Sequence, residues 1–409
     1  MLFRSASGGR VSRFTVALAL EGQWRLHDQP ALHEAVALAR SQPNGRLVLL
    51  AARREGQRLR GPHQRRLERQ ARDGLARTAT ALGIPLMGFP QHTTAQALAL
   101  LAPSWRPDAV VVAQPSRLFA DWPVACEAFP WVFADFRRQI KAEPVAPLPV
   151  PDLAGLGAER ESAWERWLCS VDQPAMDAPA SSFALAGDEA SALARLQHYV
   201  WESDGLKHYK ATRNDLVGLE FSSKFSPFLA IGSLSVRRIW QALDAYDARF
   251  GPDDGSTWMR QELLWREFFV WSEQAHGEAF HRASGLQDRH QPCEPDPERF
   301  WRWTRADSGH PRIDALMHEL NATGYLSNRG RQWVASHFVN SLRLPWTWGA
   351  RYFEWMLIDA DPALNTGNWA YLAGVGSDPR SFGGSPRAFD LDWQAQRYDP
   401  TDAHLKRWR

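Results

Sequence analysis

The chain has 409 residues, of which 44% are hydrophobic and 23% are charged. A chain of this length and composition can build two or three domains with large cores, which excludes intrinsic disorder. The net charge is only +2, from 48 Lys and Arg against 46 Asp and Glu, so bulk charge indicates neither a nucleic-acid polymer nor a membrane as partner and leaves only a local basic groove open.

Residues 1–20 superficially resemble a secretory signal, because three arginines precede the apolar run FTVALAL. That run is short and no small-residue cleavage pattern follows it, so we predict a first β-strand in a cytoplasmic protein. No apolar stretch approaches transmembrane length. The three cysteines, Cys126, Cys169 and Cys293, lie far apart. They indicate a reducing compartment, and they cannot supply four thiolates to an iron–sulfur cluster.

The first part of the chain alternates strand-like and helix-like patterns. Short apolar runs of the kind found in buried parallel strands are FTVALAL, RLVLLAA, IPLMGF and DAVVVA. Helical patterns lie between them, and the second of these ends at Gly83. We therefore predict a Rossmann-like, doubly wound α/β domain over residues 1–142. No GxGxxG follows the first strand, so no dinucleotide site is predicted there.

A Pro-rich run, EPVAPLPVPDLAGL, begins at Glu143 and marks an inter-domain linker, which we place at residues 143–190. From Ser191 onwards almost every segment has helical periodicity, including TWMRQELLWREFFVWSEQAH, PRIDALMHELNATG and GARYFEWMLID, the last of which ends at Asp359. Residues 191–409 are therefore predicted to form an all-α domain, and helical domains of this size commonly hold a cofactor between helices.

The first of four polar motifs in the helical half is HYKATRNDLVGLEFSSKFSPFLAIGSLS, which starts at His208. Hydroxyl groups and free backbone N–H groups before a helix suit a pyrophosphate, and a lysine adds positive charge. The alternative is that the serines only cap the helix. The residues concerned are Tyr209, Ser222, Ser223, Lys224 and Ser226.

The second motif is QELLWREFF, in which Glu262, Trp265 and Arg266 share one helix face. A Glu–Arg pair at this spacing is often a surface salt bridge, but a tryptophan on the same face favours a surface that meets a ligand. The third motif is NATGYLSNRGRQ, in which Arg329 and Arg331 can pair with carboxylates or phosphates.

The fourth motif, MLIDADPALNTGNWAYLAG, spans Met356 to Gly374. Its Asp and Asn side chains lie between apolar segments, where burial is costly unless a polar partner satisfies them. One interpretation is a solvated loop between helices. The other is that these groups face a bound polar heterocycle.

In this order and spacing the four motifs resemble the photolyase/cryptochrome family, and most closely its DASH branch. The resemblance is strong over about residues 200–409 and weak in the N-terminal half, through WRLHDQPAL and WVFADFRRQI. Relatives place a further helix, a strand and an antenna-binding loop between the DAVVVA strand and WVFADFRRQI, where this chain is short. We therefore expect a reduced N-terminal domain with no antenna chromophore.

The resemblance implies a non-covalent FAD inside the helical domain. It assigns the phosphates and ribityl chain to the residues of the first motif, and it places Arg266 and Asn328 beside the cofactor. Asp359 and Asp361 would meet the polar edge of the flavin ring, with Arg331 pairing Asp359. Asn365 matches the family position that faces flavin N5.

The family also has a chain of three tryptophans that carries electrons from the surface to the flavin. Trp369, Trp346 and Trp303 fall at the matching positions, although core packing is the alternative for each of them.

On the substrate side, the resemblance implies that Glu262, Trp265, Tyr371 and Gln332 contact a pyrimidine dimer flipped out of the strand. Tyr371 and Gln332 follow the pattern of the DASH branch, which favours dimers in single-stranded DNA. Relatives that repair (6-4) photoproducts use two histidines where this chain has Asn328 and Gln332, which argues against that chemistry.

The resulting hypothesis is a light-driven photolyase, with Glu262, Trp265, Asn365, Tyr371 and Gln332 as catalytic residues. It would be a monomer acting on UV-damaged DNA. The alternatives are a blue-light photoreceptor that signals through flavin photoreduction and a flavoprotein that has lost both roles.

Overall fold

The computed structural model describes residues 13–56, 60–101, 106–157, 183–379 and 388–409. Residues 1–12, Cys169 and much of the predicted linker, residues 158–182, lie outside the described residues. The chain divides into two compact units. The described part of the first comprises residues 13–56, 72–101, 106–115 and 148–157, and that of the second comprises residues 60–71, 116–147, 183–379 and 388–409. The predicted boundaries at 142 and 190 stay predictions.

The first unit contains a four-stranded parallel sheet in the order β3-β2-β1-β4. Its strands are β1 (Thr15–Ala19), β2 (Arg46–Arg53), β3 (Leu86–Thr93) and β4 (Ala109–Val112). Every residue of β1 is buried, and β1 pairs with β2 on one side and with β4 on the other. The predicted parallel sheet is confirmed, because strands with both edges paired and both faces covered need the continuous apolar runs seen in the sequence.

Three helices connect the strands in chain order: α1 (Pro30–Arg40), α2 (Pro62–Ala81) and α3 (Thr94–Leu100). α3 begins with a capping box, in which the Thr93 and Gln96 side chains bond each other's backbone N–H groups. The Pro-rich segment is fastened to the first unit, since Asp28 N donates to Leu148 O (3.0 Å) and Leu47 N donates to Leu156 O (2.9 Å).

The second unit is mostly helical, as predicted. Its helices are α4 (Phe133–Gln139), α5 (Glu189–Gln197), α6 (Gly205–Thr212), α7 (Ser226–Ala230), α8 (Val236–Phe250), α9 (Asp254–His276), α10 (Pro297–Thr304), α11 (Pro311–Thr323), α12 (Asn328–Ser336), α13 (Trp346–Met356), α14 (Pro362–Leu372), α15 (Leu391–Tyr398) and α16 (Ala403–Trp408). A π-helical turn continues α5 over His198–Glu202, and another continues α12 over His337–Ser341. Among the described residues no helix is both long enough and apolar enough to span a bilayer.

The core of the second unit combines aliphatic residues, mostly of α11 to α14, with buried aromatic side chains, among them Trp303, Trp333, Phe338, Phe353 and Trp369. Glycines let two pairs of helices approach closely. A Cβ at Gly349 on α13 would lie 2.4 Å from the Trp369 ring on α14. A Cβ at Gly367 on α14 would lie 2.2 Å from the Phe269 ring on α9. This packing fixes α14 between two helices that also line the cavity described next.

Candidate functional site

A cavity of about 440 Å³ lies within the second unit, in the usual size range of small-molecule sites. Residues of all four motifs line it, although they are far apart in the sequence. The predicted site residues on its wall are Tyr209, Ser222, Ser223, Lys224, Ser226, Glu262, Trp265, Arg266, Asn328, Arg331, Gln332, Asp359, Asp361, Asn365, Trp369 and Tyr371. Trp346 and Trp303 are not on this wall.

Asp359 lies in the turn after α13. The helix stops at Met356 because Leu357 turns extended and Ile358 N donates instead to Gly324 O (2.7 Å). Asp359 Oδ2 accepts hydrogen bonds from Arg331 Nη2 (2.8 Å) and Ser226 Oγ (2.6 Å). Oδ1 is buried and has no hydrogen-bond partner in the part of the chain that the structure describes. An unpaired buried carboxylate oxygen is costly, which indicates that a ligand donor belongs there.

Arg331 is held in place by several contacts around Asp359. Its Nε donates to Leu326 O (3.0 Å), and its guanidinium lies 5.8 Å from the Tyr325 ring centroid. Burial disfavours the charge, but the Asp359 carboxylate outweighs burial and raises the pKa of Arg331. Arg331 therefore stays charged in this wall of the cavity.

Asp361 caps α14 as well as lining the cavity. Its Oδ1 accepts from the backbone N–H groups of Ala363 (3.0 Å) and Leu364 (3.2 Å). Burial raises the pKa of Asp361, opposed by the Arg266 guanidinium. Capping of α14 thus accounts for Oδ1 of Asp361, and these two hydrogen bonds do not involve Oδ2.

Asn365 on α14 is oriented by its own amide group. Nδ2 donates to Ala350 O on α13 (2.8 Å), and the residue is buried. Asn365 Oδ1 can accept a hydrogen bond from a ligand, and Nδ2 keeps a second N–H besides the one donated to Ala350 O.

The loop before α7 carries Ser222 and Ser223 of the first motif, and Ser226 is the first residue of α7. Arg195, which the sequence did not single out, binds this loop through its carbonyls: Nε donates to Ser223 O (3.0 Å) and Nη2 to Ser222 O (3.1 Å). Lys224 lies there with a left-handed backbone (φ +60°), and its Nζ donates to Tyr325 Oη (3.0 Å). Burial strongly lowers the pKa of Lys224. Its Nζ is directed at Tyr325 within the wall.

Glu262 and Arg266 of the second motif do not pair with each other. The i, i+4 salt bridge, which was the alternative interpretation of this motif, is therefore not formed. Glu262 Oε1 accepts from Arg213 Nη1 (2.5 Å) and from Trp258 Nε1 (3.1 Å). Arg266 Nη1 instead pairs with the fully buried Glu267 (2.8 Å). Burial raises the pKa of Glu262, while Arg213 and the Trp258 hydrogen bond oppose this rise.

Trp265 and Tyr371 form an aromatic corner on the cavity wall, with ring centroids 6.2 Å apart and planes at 89°. Phe133 on α4 stacks on one face of Trp265 at 3.8 Å and so supports the ring from behind. Gln332 lies on the same wall, and its Oε1 is buried without a partner among the described residues.

The three tryptophans assigned to the relay are all buried, with 3% of Trp369, 2% of Trp346 and none of Trp303 exposed. Phe353 lies between two of them, 5.0 Å from the Trp369 ring and 6.2 Å from the Trp303 ring. Trp346 Nε1 donates to Ala283 O (2.9 Å). The expected relay starts from a tryptophan at the surface. Trp303 is enclosed by neighbouring aromatic rings and does not reach the surface.

Comparison with known proteins places this cavity in a family. The sequence model described as the FAD binding domain of DNA photolyase matches residues 258–409. The protein named Cryptochrome DASH from Synechocystis sp. is 46% identical over 228 residues, 56% of this chain and 46% of that protein. Its namesake from Gloeobacter violaceus is 40% identical over 305 residues, 70% of this chain and 57% of that protein. The chain thus matches about half the length of these curated relatives.

Solved structures cover nearly the whole chain. A crystal structure of a Synechocystis cryptochrome is 32% identical, with a TM-score of 0.77 over 96% of this chain and 88% of that one. A bacterial class III photolyase from Agrobacterium tumefaciens shares the fold at 21% identity, with a TM-score of 0.76 over 99% of this chain and 88% of that one. The fold and the cavity define a protein with a photolyase-type FAD-binding domain. The chain belongs to the photolyase/cryptochrome family, and its curated relatives carry the name Cryptochrome DASH.

Proposed function

We propose that the chain is a FAD-dependent, light-driven photolyase of the cryptochrome DASH type. It would act as a cytoplasmic monomer and split cyclobutane pyrimidine dimers, preferentially in single-stranded DNA. The observation that supports this most is that one cavity holds both a set of groups suited to a flavin and an aromatic corner suited to a flipped base.

The cavity wall fits FAD. The buried Asp359 Oδ1 needs a donor, and a flavin ring edge offers an N–H group. The Asp359–Arg331 pair and Asp361 would hold this edge, and Asn328 and Arg266 would lie beside the cofactor. Asn365 Oδ1 would accept a hydrogen bond from the N5–H group of the reduced flavin. Tyr209, Ser222, Ser223, Ser226 and Lys224 would hold the phosphates and ribityl chain. Bound there, FAD supplies light absorption and one-electron donation to the dimer.

The chain's own groups would position the dimer. Trp265 and Tyr371 offer two ring surfaces at a right angle, on which the two bases of a bent dimer can rest. Glu262, with Oε1 held by Arg213 and Trp258, presents its carboxylate to a base N–H. Gln332 adds an acceptor through Oε1. Flipping is least costly from a single strand, which supports the preference proposed here.

A repair assay tests this proposal. Oligothymidine carrying cyclobutane dimers, single-stranded or in a duplex, is mixed with reduced, flavin-loaded protein and illuminated with blue light. We expect thymine absorbance to return in the light, faster for the single strand, and no change in the dark. No return of absorbance with either substrate would refute dimer splitting.

A blue-light photoreceptor is the second candidate function. The continuous aromatic contacts from Trp369 through Phe353 to Trp303 support photoreduction of a flavin without any substrate. A protein that photoreduces its flavin but repairs neither substrate would favour this candidate.

We also propose that the protein binds no antenna chromophore and no iron–sulfur cluster. The absorbance spectrum of purified protein tests this, because a stoichiometric folate, deazaflavin or cluster would add bands beyond those of FAD.

A further inference from the structure

Trp303 has no route of its own to solvent. It is completely buried, and its Nε1 has no hydrogen-bond partner among the described residues. Oxidised Trp303 therefore needs another side chain to reach an external reductant.

One neighbour of Trp303 is suited to this task. In the described part of the chain the rings in contact with Trp303 belong to Phe300, Phe338, Tyr352 and Phe353. Phenylalanine is not oxidised under mild conditions, whereas a tyrosine phenol can lose an electron and a proton. The Tyr352 ring centroid lies 5.3 Å from that of Trp303, and Tyr352 is half-buried.

The surroundings of the Tyr352 hydroxyl define how it would lose its proton. Its Oη lies 2.6 Å from Asn321 Oδ1 and 3.1 Å from Thr304 O. Burial raises the pKa of Tyr352 to about 12, so the side chain is a neutral phenol at physiological pH. Neither neighbouring oxygen is a base that can keep the proton, so we assign water as its acceptor.

We propose that Tyr352 is the terminal electron donor of the relay, a role that rests on the relay proposed for Trp369, Trp346 and Trp303. With FAD bound and excited by light, the relay would supply one electron and leave Trp303 as a radical cation. Tyr352 gives one electron to that cation, its O–H bond breaks and the proton goes to solvent. Trp303 is restored and Tyr352 becomes a neutral tyrosyl radical. A thiol in solution then supplies an electron and a proton to re-form the phenol.

The test uses flavin-loaded full-length protein with Tyr352→Phe, which removes only the hydroxyl group. Trp348→Phe is the matched control, because Trp348 is also half-buried and contacts Phe300, 5.6 Å away. The readouts are the light-induced tyrosyl signal in electron paramagnetic resonance, the rate at which flavin photoreduction accumulates with thiol, and the effect of D₂O on that rate.

We expect Tyr352→Phe to lose the tyrosyl signal and the D₂O effect, and to accumulate reduced flavin severalfold more slowly, while Trp348→Phe matches the wild type. A tyrosyl signal that persists in Tyr352→Phe, or its absence from a wild type that photoreduces fully, would overturn the role of Tyr352 alone. Trp346→Phe separates this from failure of the relay itself: unchanged photoreduction in that variant would overturn both assignments.

Discussion

Asp359 places two carboxylate oxygens on the cavity wall, one paired with Arg331 and one without a partner among the described residues. Oδ2 forms the ion pair with Arg331, and Oδ1 can accept a hydrogen bond from a ligand. Removing the charge therefore affects both ligand binding and folding, and the two effects can be measured separately.

The variant Asp359→Asn is expected to weaken FAD binding by about one to two powers of ten, the usual worth of a hydrogen bond to a charged group. It should also lower the free energy of unfolding of the flavin-free protein by about 3 kcal/mol, because Arg331 loses its partner. Titration with FAD and urea denaturation measure the two effects.

Asp399→Asn is the control for this prediction. Asp399 is also buried and paired with an arginine, Arg312, but it does not line the cavity. It should lower stability and leave FAD affinity unchanged. Equal FAD affinity in Asp359→Asn and the wild type would contradict the role given to Asp359.

His337 predicts a pH dependence of stability. Its Nε2 is buried without a partner among the described residues, and its ring lies 5.4 Å from that of His310. Burial, assisted by His310 and opposed by Asp314, lowers the pKa of His337 from 6.5 to about 4. The unfolded chain therefore takes up a proton at higher pH than the folded one, so stability is full above pH 6.5 and falls as pH drops towards 4.

The loss from this single group approaches about 3 kcal/mol below pH 4. The variant His337→Phe should show a flatter decline in the free energy of unfolding between pH 6.5 and 4.5. Urea denaturation at several pH values measures it, and parallel curves for the two proteins would show that His337 is not the cause.

At the scale of elements, the approach of α13 to α14 sets the position of Trp369 and Asn365. Gly349→Ala places a Cβ against the Trp369 ring, and overpacking of this kind costs about 1–3 kcal/mol. The gain in helix propensity of about 1 kcal/mol offsets part of that cost. We expect a net loss of stability and slower flavin photoreduction.

Arg351→Ala on the exposed side of α13 is the control and should change stability by less than about 0.5 kcal/mol. A Gly349→Ala variant as stable and as photoactive as this control would show that the helices can separate without consequence.

The elements show which parts of the fold local sequence can predict. Apolar runs predicted all four strands, because parallel strands are covered by helices on their faces and are therefore apolar along most of their length. The edge strand β4 is only partly buried. Periodicity also located α9 and α11, the latter ending where Gly324 adopts φ +74°. The helical pattern around Met356 appeared to continue to Asp359, but a tertiary hydrogen bond from Ile358 N to Gly324 O ends it earlier. The end of α13 therefore depends on a residue far away in the sequence, and the local sequence pattern cannot predict it.

At the scale of the whole molecule, the four motifs predicted the residues that line one cavity, but not which of them bond each other. The partner of Glu262 is Arg213, from another helical segment, and sequence spacing suggested only Arg266. Arg213 lies inside the first motif, four residues after Tyr209. Because residues at this spacing share a helix face, the sequence could have indicated that Arg213 faces the same cavity as Tyr209. The burial of Trp303 depends on rings from two other segments, the π-helical turn after α12 and α13, and no local pattern shows it.

The central claim is that this cavity holds one FAD per chain. The direct measurement is the ratio of flavin to protein after FAD is released by denaturation, from protein purified with FAD present in excess and then washed. We predict a ratio near one for the wild type. A folded wild-type protein that retains no FAD after this treatment would contradict the claim.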